Sequence, residues 1–129
     1  LMERLLPRHM QIIYLINWLH LEGLSEQGRL SPDLLPRISL IDEGGGRRVR
    51  MGHLAFLGAH KVNGVSALHT DLMRETVFKD LHALYPDRIT NKTNGITFRR
   101  WLQGANPALT RLLVEAAGER VLDDPGALR

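Results

Sequence analysis

Apolar positions recur at helical spacing from Pro7 to about Leu21. Leu6, Met10, Ile13 and Ile16, with Asn17 and His20, form one row, and Ile12, Leu15 and Leu19 form a second. Pro7 suits a first helical turn, where its missing N–H costs nothing. A helix apolar around much of its girth belongs inside a larger core. Where its partners lie elsewhere, part of that surface is expected to be exposed or to pair with another copy. Gly23 offers this helix an end. Ser31-Pro32-Asp33 predicts a short helical turn, and Pro36 is expected to stop it. Ile38–Asp42 and Arg48–Arg50 are short runs around Glu43-Gly44-Gly45-Gly46-Arg47, the pattern of a β-hairpin.

The pattern then returns to helix over Met51–Gly58, with Leu54, Phe56 and Leu57 on its apolar side. It breaks at Gly58-Ala59-His60-Lys61 and resumes from Val62 or Asn63 to about Arg74, through Val65, Leu68 and Leu72. Thr76 is placed to cap a further helix through Val77, Phe78, Leu81 and Leu84, stopped by Tyr85-Pro86. Ile89–Thr97 is polar, with Asn94-Gly95 as a turn and a few residues able to pair as a strand. Arg99–Gln103 resumes a helix. Asn106-Pro107 starts another through Leu109, Leu112, Leu113 and Ala116, which Gly118 ends. Val121-Leu122 are expected to pack. The fold class this predicts is α-rich with one short β-hairpin.

Composition narrows the functional classes. The 129 residues suffice for one small domain that buries roughly two-thirds of its unfolded surface. There is no cysteine, which excludes disulfides and thiolate metal sites. No stretch approaches the roughly 20 apolar residues of a membrane span, and no leader pattern is visible. A cytoplasmic protein without a membrane partner is the simplest expectation. Asn91-Lys92-Thr93 fits a glycosylation pattern that is accidental in that setting. The formal charge is +3, and Arg47, Arg48 and Arg50 cluster at the hairpin. No aromatic residue interleaves them as a nucleic-acid stacking platform requires, so a solvated rim is preferred and no nucleic-acid partner is expected. The rival function is a non-catalytic helical module that binds protein or nucleic acid through this rim.

Candidate chemistry concentrates in Met51–Met73, which holds three of the six histidines. His60 sits at a break between two predicted helices. There a ring can project into a cavity, and a helix start beside it would offer free N–H groups. His53, His60 and His69 are separated by seven and nine positions, unlike the short spacing of helical zinc histidines; no metal is expected, and His53 and His69 read as core or supporting groups. The glycine triplet lacks the Gly-Lys-Ser/Thr and adjoining helix start of a phosphate loop. Lys61 could be imagined as a Schiff-base lysine.

Long motifs in this chain resemble the α-glucan phosphorylases, that is, the glycogen, maltodextrin and starch phosphorylases. They are Leu5-Leu6-Pro7-Arg8-His9-x-Gln11-Ile12-Ile13-Tyr14-x-Ile16-Asn17, His53-Leu54, Gly58, His60-x-Val62-Asn63-Gly64-Val65 and Leu68-His69. Downstream come Phe78, Pro86, Asn91-Lys92-Thr93-Asn94-Gly95-Ile96-Thr97, Arg99-Arg100-Trp101-Leu102 and Asn106-Pro107. The resemblance covers nearly the whole chain. It implies an internal piece of a much longer enzyme, since Met2–Leu6 already reads as helix without a start signal and Asp123–Gly126 closes nothing.

The resemblance also implies a place and a chemistry. Residues 1–129 would be a partial domain, the C-terminal portion of the N-terminal Rossmann-like α/β domain of a GT-B-type glycosyltransferase. The complete enzyme would cleave α-1,4 glucan with inorganic phosphate to glucose 1-phosphate, as a pyridoxal phosphate enzyme, a homodimer and a member of an allosteric family. His60 would bind substrate at the sugar's 6-hydroxyl, and Asn63 would be a weaker substrate-binding candidate on the pocket wall, with Gly64 allowing close packing. No catalytic and no cofactor-binding residue is expected here; the resemblance places the cofactor lysine outside this chain, so Lys61 is rejected for that role. Lys61 and Phe98 depart from the small residue and the proline that relatives usually carry. The Asn91–Ile96 run reads as architecture buttressing the sugar site, and Trp101 as a core anchor.

Overall fold

In the computed structural model, which describes residues 1–44 and 46–128, the chain divides into two compact units, Leu1–Thr93 and Asn94–Arg129. The first carries most of the buried side chains. It opens with a helical turn, α1 (Met2–Leu5), and the long helix α2 (Pro7–Glu26). Pro7 sits in the first turn of α2 as its spacing predicts. The helix runs through Gly23, because the glycine is only a weak breaker inside an established helix; Gly28, at φ +66°, lies in the turn after it. Met10, Ile13 and Leu24 are buried, while Ile12, Leu15, Trp18 and Leu19 are exposed. The second apolar row therefore has no cover among the described residues of this unit.

Pro36 has the opposite role from the one its sequence position suggests. It lies in the first turn of a short helix, α3 (Leu35–Ile38), where proline is tolerated. Ile38, at the end of α3, and Leu40 are fully buried. Asn17 of α2 anchors the next segment: its Oδ1 accepts from the Leu40 N–H at 2.7 Å. The expected hairpin is present but short. Strand β1 (Ile41–Asp42) pairs antiparallel with β2 (Arg48–Val49). Gly45, at the middle of the predicted turn, lies outside the described residues.

Helix α4 (Met51–Gly58) has the predicted limits. The segment beyond it departs from the expectation of a helix beginning at Val62 or Asn63. Val62–Gly64 forms strand β3, paired in parallel with β4 (Ile89–Asn91). Two helices, α5 (Ala67–Glu75) and α6 (Lys79–Leu84), cross over between these strands, as a parallel pair requires. The start of α5 is set by Ser66, whose Oγ accepts from the His69 N–H at 3.1 Å. His69 reciprocates through Nδ1, which accepts from the Val65 N–H at 3.2 Å, a two-way cap. Thr76 closes α5 instead of opening α6: its hydroxyl donates to the Leu72 carbonyl at 2.6 Å.

The first unit has two packed clusters. Leu24, Ile38, Phe56, Leu81 and Ile89 form one, drawn from α2, α3, α4, α6 and β4. Met10, Ile13, Leu40 and Ile41 form the other. The Arg37–Asp80 ion pair, at 3.2 Å, ties α3 to α6.

The second unit begins with a widely wound helical segment, Arg99–Gly104, in which the Ala105 N–H reaches back to the Arg100 carbonyl. Helix α7 (Pro107–Ala117) starts where Asn106-Pro107 predicts; Asn106 Oδ1 accepts from the Leu109 N–H at 3.0 Å. Gly118 ends it at φ +87°. Val121 is buried, but Leu109 and Leu112 are exposed. Asn94-Gly95 forms no regular turn. Phe98 has φ −56°, within the range that a proline would impose.

Candidate functional site

The break between α4 and β3 holds the principal candidate. α4 ends at Gly58, Ala59 is extended, and His60 lies at a bend with an exposed side chain. The chain beyond it enters a parallel strand pair, not a helix, so the free helical N–H groups expected beside His60 are not there. Asn63 is exposed on β3, in register with Thr90. His60 and Asn63 thus share one short, exposed segment.

Gly64 is buried, and the reason is steric. A β-carbon at this position would meet Thr70 Oγ1 at 2.1 Å and Thr70 Cα at 2.8 Å. The glycine lets α5 lie directly against β3. Thr70 is itself buried; its hydroxyl donates to the Ser66 carbonyl at 2.7 Å and lies 2.9 Å from Asn91 Oδ1. Asn91, the first residue of the long polar motif, is thereby tied to the crossover. The motif straddles the boundary between the two units, with Asn91–Thr93 in the first and Asn94 onward in the second.

Residues with no sequence signal hold the segment around His60 from the turn that precedes β4. Arg88 Nη1 donates to the carbonyls of Phe56 and Leu57 at 3.0 and 3.1 Å. These belong to the last turn of α4, whose carbonyls have no partner within the helix. The Arg88 guanidinium stands 4.5 Å from the centre of the Tyr85 ring, a stacking arrangement suited to arginine. The Arg88 carbonyl accepts from the Val62 N–H at 2.8 Å. Lys61 Nζ donates to the Asp87 carbonyl at 2.6 Å.

The other histidines go elsewhere. His53 and His20 are half-buried in the interior of the first unit, and His69 is exposed on α5 as part of its cap. His20 Nδ1 lies 3.2 Å from the Tyr85 hydroxyl. Burial lowers the His20 pKa below 6.5, helped by the charges of Arg88 and His53. Burial also lowers that of His53, helped by Arg50, against the carbonyls of Ile38 and Ser39. Their rings stay neutral at neutral pH. Among the described residues, no three His, Asp or Glu side chains converge as metal ligands.

The arginine rim is largely self-satisfied. Arg50 donates to the carbonyls of Pro36, Arg37 and Ser39 and pairs with Asp42 at 3.5 Å. Arg47 pairs with Glu43 at 3.4 Å. In the second unit Trp101 is 64% exposed, with Arg100 over its ring. It is not a core anchor of that unit, contrary to its sequence reading.

The chain is helix-rich, with one antiparallel and one parallel strand pair among the described residues, and its exposed histidine stands at the bend before the parallel pair. The chain belongs to the carbohydrate phosphorylase family, whose model matches residues 1–129. It is 50% identical over 124 residues to the liver form of glycogen phosphorylase from Bos taurus, covering 96% of this chain and 15% of that protein. It is 48% identical over 124 residues to the liver form from Homo sapiens, with the same coverage. It is 46% identical over 127 residues to the brain form from Rattus norvegicus, covering 98% of this chain and 15% of the relative. The chain therefore spans about 15% of the length of the relatives it matches.

Proposed function

We propose that this chain is one wall of the sugar site in an α-glucan phosphorylase, the longer protein using inorganic phosphate to cleave α-1,4 glucan and release glucose 1-phosphate. The observation that carries the reading is an exposed His60 at the α4–β3 bend in a chain that belongs to the carbohydrate phosphorylase family along its whole length. A neutral imidazole has one donor and one acceptor nitrogen, which suits a sugar hydroxyl. His60 takes the 6-hydroxyl, away from the bond that breaks, and holds the sugar in position. Asn63, exposed three residues on, lines the wall of the same pocket. The parallel β3–β4 pair supports placing the chain in the later part of a Rossmann-like N-terminal domain of a GT-B-type enzyme.

Pyridoxal phosphate belongs to this proposal only through residues outside the chain. The one candidate lysine at the bend, Lys61, has its ammonium on the Asp87 carbonyl, a poor fit for a Schiff base, and no step is assigned to the cofactor. The complete enzyme is read as a cytoplasmic homodimer of an allosteric family. The basic-rim alternative is disfavoured by the internal partners of Arg47 and Arg50.

His60→Ala in the complete enzyme tests the proposal. Loss of one hydrogen bond made in the transition state lowers kcat about tenfold, equivalent to about 1.4 kcal/mol. Wild-type kcat and KM in that variant would remove the assigned role.

A further inference from the structure

The chain on both sides of His60 is fastened to Arg88, with Asp87 adding a second hold on the C-terminal side. On the N-terminal side, Arg88 Nη1 holds the Phe56 and Leu57 carbonyls at 3.0 and 3.1 Å. On the C-terminal side, the Val62 N–H donates to the Arg88 carbonyl at 2.8 Å, and Lys61 Nζ donates to the Asp87 carbonyl at 2.6 Å. Only Gly58, Ala59 and His60 span the gap between these fastenings. Ala59 is extended and Gly58 has nothing within 4 Å of where a β-carbon would stand, so local packing does little to fix the bend. The fastening comes from Arg88, and Arg88 is fixed in turn against the Tyr85 ring at 4.5 Å.

We infer that Arg88 is a positioning residue that acts through His60, setting where the imidazole stands by tying the end of α4 to the start of β3. This rests on the phosphorylase reading of His60. The guanidinium suits the task because one of its nitrogens, Nη1, donates to two adjacent carbonyls from a planar group of fixed geometry, whereas an ammonium is a rotatable point charge. A displacement of about 1 Å at a group that orients substrate is enough to cost up to about a hundredfold in rate. Arg88 sits on the chain well away from His60 and touches no substrate in this scheme, so its effect on the reaction passes only through the bend.

The test uses the complete enzyme, with Arg88→Gln, His60→Ala and the double variant compared by steady-state kinetics. Arg88→Gln is expected to lower kcat about fivefold with a smaller change in KM, since it removes positioning and not a substrate contact. In the His60→Ala background the same change is expected to cost less than about twofold, because the group it positions is gone. Hydrogen exchange at the amides of residues 58–62 is expected to rise at least about tenfold in Arg88→Gln, with α2 unchanged. Arg88→Lys, which keeps the charge, is expected to fall between wild type and Arg88→Gln, and it carries the measurement if the glutamine variant does not fold.

Equal losses from Arg88→Gln in both backgrounds, or unchanged exchange at residues 58–62, would overturn the inference while leaving His60 its role. Wild-type turnover in His60→Ala would instead remove the reading beneath it. Raised exchange at the bend in that case would still identify the clamp as a structural fastening and would end its catalytic assignment.

Discussion

Gly64 and Thr70 are pressed together where helix α5 crosses strand β3, so closely that a β-carbon on residue 64 would stand 2.1 Å from the threonine hydroxyl and 2.8 Å from its Cα. The obstacle includes backbone, which cannot rotate aside as a side-chain tip can. The same threonine hydroxyl is committed to the Ser66 carbonyl and to Asn91.

Gly64→Ala is therefore expected to destabilise the protein by about 1–3 kcal/mol, the cost of overpacking a close contact. The measurement is chemical denaturation of wild type and variant. A midpoint unchanged within error would mean that α5 lifts from the strand without penalty.

Acid should loosen the interior of the first unit. His20 and His53 both have pKa values lowered from the ordinary 6.5 by burial. The unfolded chain then binds more protons than the folded one near that pH, so stability rises with pH there. The contribution is complete above 6.5 and is lost as pH falls from there through the lower folded values. Thermal unfolding is expected to show a lower midpoint at about pH 5 than at about pH 8, and the double substitution His20→Gln with His53→Gln is expected to flatten that dependence. A pH slope unaltered by the substitutions would place its origin in other groups.

The isolated chain should release no glucose 1-phosphate from glucan and phosphate. On the proposed reading His60 contacts a sugar hydroxyl and transfers no proton at the reacting carbon, and Lys61 is occupied by the Asp87 carbonyl. A coupled assay for glucose 1-phosphate on the purified 129-residue chain checks this. Turnover above the buffer rate would mean that the chain carries reacting groups that its site does not reveal.

Elements with strong local punctuation were legible in the sequence. Pro7 marks the first turn of α2, Asn106-Pro107 opens α7 and Gly118 ends it. The hairpin followed from its glycines. Strand β3 was not legible: Val62-Asn63-Gly64 is too short for an alternating pattern to register, and its pairing partner begins at Ile89. The apolar spacing of Val65, Leu68 and Leu72 made a longer helix look continuous, yet all three are exposed. Pro36 and Thr76 each stand beside two elements, and sequence alone does not say which one they serve.

The candidate site divides in the same way. His60 and Asn63 came from a contiguous motif. Arg88 carries no comparable signal, because the carbonyls it holds are 32 and 31 positions away. Long-range capping of a helix end is invisible until the fold brings the two segments together.

The order of synthesis gives that distance a consequence. His60 leaves the ribosome before the residues that steady it, and until Asp87 and Arg88 emerge, the loop between α4 and β3 has nothing to grip. A nascent chain halted after α6 would carry its imidazole on a swinging tether. The bend that carries His60 thus takes shape late, only once the second strand of the pair has been made and laid alongside the first.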